Sequence, residues 1–404
     1  MTPRTAIIGG GAAGFFLAIQ LKEIMPEMDV TIFERSKRVL AKVEVSGGGR
    51  CNCTNTFEGI RDLSEVYPRG YRLLKRLFNT FDQHDAYRWF ETHGVPLTIQ
   101  DDHCVFPAAQ DSHAIINCFL QQCRRLGVQI HTNCRIQQLS QLDDYDFIAV
   151  TTGGCPRAEG LEWLKSEGHE VVGPVPSLFS LSIGDASLKT LMGAVAPHAV
   201  VHIPGTRFRT QGALLVTHWG VSGPAILKLS SHAARFFNEC DYHTVIQVNW
   251  TGQNDEATRD EIARLSADNR LKMLTSTPPD GLTQRLWNYI LCKHLADKPT
   301  ARWCDIGKKD VNKLVDALCN DPIQATGRAP FRDEFVTCGG ISLKSINPTT
   351  LESRTRQGLY FAGEVLDIDG VTGGFNFQAA WTTAYVAAHS IAQKASMTTL
   401  KTSE

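Results

Sequence analysis

The sequence has no CxxC pair, no apolar run near the roughly 20 residues a membrane-spanning helix needs, and almost no net charge. Each absence removes a class of function. Without CxxC, a dithiol redox centre of the disulfide-reductase kind has no sequence basis, and Cys51 and Cys53 stand too close for a zinc knuckle. Without a long apolar run, no membrane span is expected. The opening MTPRTAIIGGG is interrupted by glycine too soon for a signal peptide, so the twelve cysteines are expected as free thiols in a reducing, cytoplasmic setting of bacterial type. A formal charge of -1 provides no broad field for nucleic acid or an anionic membrane. A small-molecule substrate is expected, with neither nucleic acid nor membrane as partner. Oligomeric state has no sequence signal.

What is present is an ordinary globular composition, 43% apolar and 21% charged, on a chain of 404 residues that exceeds one typical core. Thr5 to Ile8, a glycine turn, a helical stretch from Phe15 to Glu23 and Val30 to Phe33 form a strand–turn–helix–strand unit. Such units build parallel sheets covered on both faces. Further helices are predicted over Arg72 to Phe90 and Ile115 to Leu126, and a buried strand over Asp146 to Val150. From Pro174 to Trp250 short strand-like runs alternate with Gly and Pro, and Glu256 to Asn320 turns helical. The last 80 residues return to the opening texture, with a strand at Gly358 to Ala362 and a small-residue helix from Gly374 to about Ile391. The expectation is an α/β fold with a discontinuous Rossmann-like domain, residues 1–177 and 330–404, interrupted by a β-rich unit, 178–254, and a helical unit, 255–329.

Three blocks carry the chemistry. In Gly9-Gly10-Gly11-Ala12-Ala13-Gly14 the first glycine of the G-x-G-x-x-G permits the tight turn. Gly11 lets backbone approach a pyrophosphate, Gly14 packs helix on strand, and the helix N-terminus stabilises the phosphate charge. Glu34, with Arg35 beside it, ends the second strand 20 residues after Gly14, where a carboxylate takes ribose hydroxyls and disfavours a 2′-phosphate. FAD or NAD therefore fits better than NADP. The second block, Ser46-Gly47-Gly48-Gly49-Arg50-Cys51-Asn52-Cys53-Thr54-Asn55, is a loop whose glycines let amides crowd a ligand, while Arg50 and Lys42 bring positive charge. Thr152 and Gly153 follow the strand at 146–150. In the third block, Gly363-Glu364 follows a strand, Asp367 lies nearby, and Gly373-Gly374-Phe375-Asn376 opens a helix aimed at a planar ring. Asp367, Asp369 and Gly370 faintly suggest a calcium loop, but Gln378 occupies the place of the bidentate glutamate, so no metal is expected.

The blocks AIIGGGAAG, SGGGRCNCTN, THWGVSGPAIL and TCGGISLKSINPTTLESRTRQGLYFAGEVLDIDGVTGGFNFQAA resemble the BaiN-like, aminoacetone-oxidase-type family of NAD(P)/FAD-dependent flavoproteins from about Thr5 to Ala388. The resemblance implies a glutathione-reductase-type FAD domain with β-rich and helical inserts. It also implies that Gly9, Gly11, Gly14, Glu34, Gly48, Arg50, Gly363, Glu364, Asp367, Gly374 and Asn376 line the flavin site. The chain departs from the family after Gly154, where the loop is short, and in its last helix, which reads AAWTTAYVAA.

Flavin performs the electron transfer itself, so no acid or base is obligatory. The candidates are His218 and Ser222 in THWGVSGP, with Cys51 inside the glycine loop; His103 is a weaker one. No second G-x-G-x-x-G follows a strand, so NAD(P)H, if it is the donor, binds transiently without its own domain. The expected function is an FAD-dependent oxidoreductase moving hydride between flavin N5 and a small organic substrate or NAD(P)H. The alternative is an FAD-holding, redox-sensing protein without fast turnover.

Overall fold

The computed structural model describes residues 2–155, 158–329 and 336–401. The expected domain boundary at 330 lies outside those residues. The chain divides into two compact units, Met1–Pro176 with Arg332–Glu404, and Ser177–Phe331.

In the first unit five parallel strands lie in the order Leu359–Phe361, Phe147–Val150, Arg4–Ile8, Asp29–Phe33, Gln129–His131. Phe147–Val150, an inner strand, and Leu359–Phe361 at the sheet edge are both buried at every position, as parallel strands covered by helices must be. The helix Ala12–Ile24 is apolar all round as far as Ile19, and Phe15 to Ile19 are inaccessible to solvent. A helix without a polar face has to be enclosed. The terminal helix Phe375–Lys401 lies against it, and Phe16, Trp89, Phe119 and Trp381 interlock with ring centroids 4.8 to 5.9 Å apart. That helix runs past the expected end at Ile391 because nothing in its sequence breaks it. A three-stranded antiparallel sheet, Thr54–Asn55, Cys104–Pro107 and Leu97–Ile99, carries the second glycine block.

The expected helix over 72–90 is two helices, Tyr71–Leu77 and Gln83–Thr92. Asp82 causes the break, because its carboxylate accepts the backbone N–H of His84 (2.8 Å) and Asp85 (3.1 Å) and so starts a new helix.

The second unit has an eight-stranded sheet ordered 195–196, 214–216, 220–222, 181–183, 321–328, 243–249, 200–202, 209–211. Strand Asp321–Arg328 alternates buried and exposed through its first six residues and sits in the interior of this sheet. Helices Asp255–Asp268, Gln284–His294 and Lys308–Cys319 come in the chain between this strand and its sheet neighbour His243–Asn249. Asp321 is inaccessible, and Lys293 (2.6 Å), His294 (2.9 Å) and the Trp250 indole N–H (3.0 Å) surround its carboxylate. Among the described residues no helix is long and apolar enough to cross a membrane, and no group of three or more His, Cys, Asp or Glu could hold a metal ion.

Candidate cofactor site

The strand Arg4–Ile8 ends in Gly9, whose φ of +115° only glycine adopts easily. A Cβ on Gly9 would lie 2.5 Å from the Thr151 carbonyl oxygen, and one on Gly14 would lie 2.1 Å from the Gly9 carbonyl oxygen. Both glycines are therefore required by packing. Thr151 secures the turn by donating its hydroxyl to the Gly9 carbonyl (2.9 Å). Gly11 is different. Its φ is -96°, which any residue tolerates, and no atom lies within 4 Å of where its Cβ would be. Neither strain nor packing calls for glycine there. The helix it precedes has no side-chain cap and no acidic residue in its first turn, so Ala12 and Ala13 stand at an uncompensated positive helix end. Open space before uncapped amides fits a diphosphate.

Glu34 stands beside this turn. One carboxylate oxygen accepts the Gly10 N–H (2.8 Å) and the other the Ser36 N–H (2.8 Å) and hydroxyl. The oxygen facing Gly10 keeps a lone pair for a hydroxyl. Arg35 is exposed.

The second block follows a short helix begun at Ala41. Gly47, Gly48 and Gly49 have φ of +56°, +67° and +84°, a left-handed run open to other residues only at a steric cost. Gly48 and Gly49 face nothing within 4 Å, so their backbone is accessible. Ser46 closes the preceding turn by donating to the Val43 carbonyl (2.8 Å). Arg50 folds back over the Phe106 ring (4.3 Å) and reaches Gln110 (3.2 Å). Cys51 is inaccessible, with φ +60°, and burial pushes its thiol up to about 12 against a lowering hydrogen bond with Ser46. It is a protonated thiol at neutral pH.

The third block returns to both. A Cβ on Gly363 (φ +77°) would lie 2.9 Å from the Ala13 Cβ, and one on Gly374 2.3 Å from the Thr54 carbonyl oxygen. Asn55 donates to the Gly373 carbonyl (3.0 Å), Thr54 to Gln378 (2.6 Å), and the Trp381 indole to the Cys53 carbonyl (2.8 Å). With its amide oriented to match its neighbours, Asn52 donates to the Thr54 carbonyl (2.8 Å) and accepts the Gly374 N–H (3.3 Å). The Asn376 carboxamide brackets Gly370, accepting its N–H (2.8 Å) and donating to its carbonyl (2.9 Å). Phe375 is buried against Phe57 (5.1 Å). Residues more than 300 positions apart thus share one site.

Glu364 lies where the blocks meet. It accepts the Thr337 N–H (2.8 Å) and pairs with Lys42 (2.8 Å). Burial alone would raise its carboxyl, but Lys42 and the N–H groups of Thr337 and Gly154 hold it below the usual range. A Cβ on Gly154 would lie 2.5 Å from this carboxylate, and Gly153 (φ +72°) and the exposed Thr152 precede it. Asp367 is half-buried in the same stretch.

Of the catalytic candidates, Cys51 belongs to the first unit and His218 and Ser222 to the second. His218 is exposed at a turn of the second unit, its ring 4.1 Å from that of Trp219. The Ser222 hydroxyl bonds Ser180 (2.6 Å), and among the described residues no hydrogen bond joins it to His218. His103 (φ +65°) lies 3.6 Å from Glu58. Sequence reasoning missed Thr151, Asn55 and the Arg69–Asp369 ion pair. Asn55 lay inside a quoted block, whereas nothing in one sequence connects Arg69 to Asp369.

A parallel sheet, a glycine turn, an uncapped helix start and an acidic strand end define a Rossmann-like dinucleotide-binding protein. The chain belongs to the family described as HI0933-like protein Rossmann domain, whose model matches residues 3–390. It is 27% identical to the ribosomal RNA dihydrouridine synthase of Haemophilus influenzae over 428 residues, covering 96% of this chain and 98% of the relative. It is 24% identical to the 3-dehydro-bile acid Δ(4,6)-reductase of Clostridium scindens over 419 residues, covering 97% and 99%. The 3-ketosteroid Δ1-dehydrogenase of Sterolibacterium denitrificans, solved with 1,4-androstadiene-3,17-dione, gives a TM-score of 0.47 at 11% identity, covering 97% of this chain and all of that one.

Proposed function

We propose that this chain is an oxidoreductase that moves hydride between the N5 of bound FAD and an organic substrate, with NAD(P)H as a transient donor. One observation carries the dinucleotide reading: Gly11 is glycine where neither backbone strain nor packing asks for it, before an uncapped helix. Gly11, Ala12 and Ala13 would hold the diphosphate and Glu34 the ribose. Gly48, Arg50, Glu364, Gly373 and Gly374 would enclose the ribityl chain and ring. When bound, FAD supplies two-electron transfer. The chain's own part is to orient the ring, exclude water and present the positive end of a helix near it.

The names of the two relatives support a substrate class. A dihydrouridine synthase and a Δ(4,6)-reductase both saturate a carbon–carbon double bond, and in uridine and a 3-oxo bile acid that bond is conjugated to a carbonyl. Such a bond accepts hydride because the carbonyl takes up the developing charge. We therefore infer an electron-poor double bond as the acceptor, in a small molecule. A uracil base within RNA is the second reading, favoured by the relatives named as ribosomal RNA enzymes. The proposal includes a cytoplasmic, bacterial setting.

The test is direct. Purified protein should be yellow, and NADH or NADPH should bleach it without oxygen. A conjugated enone or uridine-containing RNA should then restore the colour. A colourless protein that FAD cannot reconstitute contradicts the cofactor reading. Yellow protein that neither nicotinamide reduces contradicts the donor, and reduced protein indifferent to both acceptors contradicts the substrate class.

A further inference from the structure

We propose that Arg69 is a positioning residue for the glycine loop 370–374, which it holds in the conformation that receives the flavin. The proposal rests on the reading that Gly373 and Gly374 contact the ring.

The loop has glycine at 370, 373 and 374, so its free chain is highly mobile and a fixed shape costs conformational entropy. Something must hold it. The segment Val66–Gly70 lies antiparallel along it and is fastened at four points. Val371 N–H donates to the Val66 carbonyl (2.8 Å), and the Tyr67 hydroxyl donates to the Phe375 carbonyl (2.8 Å). Gly70, at φ +79°, has no room for a Cβ, which would meet Ile368 at 2.6 Å. At the fourth point Arg69 and Asp369 form a backbone bridge and a two-pronged ion pair, Nε to Oδ1 and Nη2 to Oδ2.

The ion pair is the strongest of the four. The Asp369 side chain is inaccessible and that of Arg69 only 17% exposed, so solvent screens the pair weakly. Asp367 is near enough to act on the same guanidinium. If Arg69 loses its charge, the buried Asp369 carboxylate loses this two-pronged countercharge, one residue before Gly370, and the loop is driven to open and hydrate it. Lysine would keep the charge but not the planar fork, so it restores part of the constraint.

Arg69→Gln and Arg69→Lys are to be compared with wild type by FAD titration, followed through the quenching of flavin fluorescence, and by visible circular dichroism of the bound flavin. The second signal reports the ring in fixed chiral surroundings, which a general loss of stability would not alter. Arg69→Gln should bind FAD about tenfold or more weakly and change the visible dichroism, with Arg69→Lys between it and wild type. Arg69→Gln with affinity within about twofold of wild type and the same dichroism would overturn the proposal. Should Arg69→Gln fail to fold, Arg69→Lys decides by the same two readouts. If wild type itself binds no FAD, the cofactor reading fails rather than this one.

Discussion

The helix that starts at Gly11 and three helices of the second unit begin in opposite ways. Asn254 accepts the Ala257 N–H (2.8 Å), Thr283 the Leu286 N–H (3.3 Å), and Asp185 the Leu188 N–H (2.9 Å). Those helix starts are satisfied from within the chain. The helix at Ala12 has no such partner. The glycines differ in the same sense. Gly220 and Gly252 sit where a Cβ would be 2.1 Å from the Leu181 carbonyl oxygen and 2.2 Å from that of His198, so the fold demands them. Gly193 and Gly205 are open, but at φ +88° and +73° they serve turns. Gly11 has neither reason. Gly307 is as open, at φ -98° before a helix with no side-chain cap, but Asp310 puts a carboxylate in that helix's first turn. An unexplained glycine marks the ligand side of a fold only where the helix end behind it also lacks such a charge.

The comparison can be broken by substitution. The largest effect is expected where the second unit satisfies itself most completely. Asp321→Ala leaves Lys293 and His294 without their buried partner and should cost about 4 kcal/mol of stability, with the FAD affinity of the folded protein unchanged. Denaturant unfolding with FAD titration checks both, and a loss of FAD affinity in folded protein would show that the two networks are not independent. Next is Gly14→Ala, which forces a methyl against the Gly9 carbonyl and should destabilise by about 3 kcal/mol even without FAD. Gly11→Val is its counterpart. It should leave the apo-protein melting temperature unchanged and weaken FAD binding at least about tenfold, or 1.4 kcal/mol. If Gly11→Val destabilises the apo protein as much as Gly14→Ala, the distinction drawn here between the two glycines is lost.

The smallest effect concerns Lys42. The Glu364 carboxyl is held below its ordinary value, so the stability it contributes is present above the carboxylate range and is lost as pH falls through the native value. Lys42→Met removes the cation that opposes burial, so Glu364 rises and the loss on acidification should begin at higher pH. Because Lys42 is largely exposed, solvent screening keeps the change within about 1 kcal/mol. Melting temperature measured against pH is the check; an unshifted acid limb would mean that the Thr337 and Gly154 amides alone hold Glu364 ionised.

Much of the first unit was legible. The strand–turn–helix–strand start, the strand at 147–150 and the strand at 359–361 followed from apolar runs bounded by glycine, because a buried parallel strand needs no alternation. The helix break at Asp82 was not, since helical spacing of Leu73, Leu77, Phe81 and Tyr87 persists across it while a cap overrides propensity. The strand Asp321–Arg328 was hidden at the end of a helical stretch, where Pro322 and Gly327 argue against a strand.

The sequence alone determined the local events: that a glycine turn follows the first strand, that a helix follows the turn, and that Glu34 closes a strand near it. These depend on neighbours a few residues away. Only the tertiary structure decided which distant segments meet, Gly374 against Thr54, Gly363 against Ala13, and Arg69 with Asp369. Those meetings follow from how buried faces pack, and no spacing within a single chain encodes which partner fills a given gap.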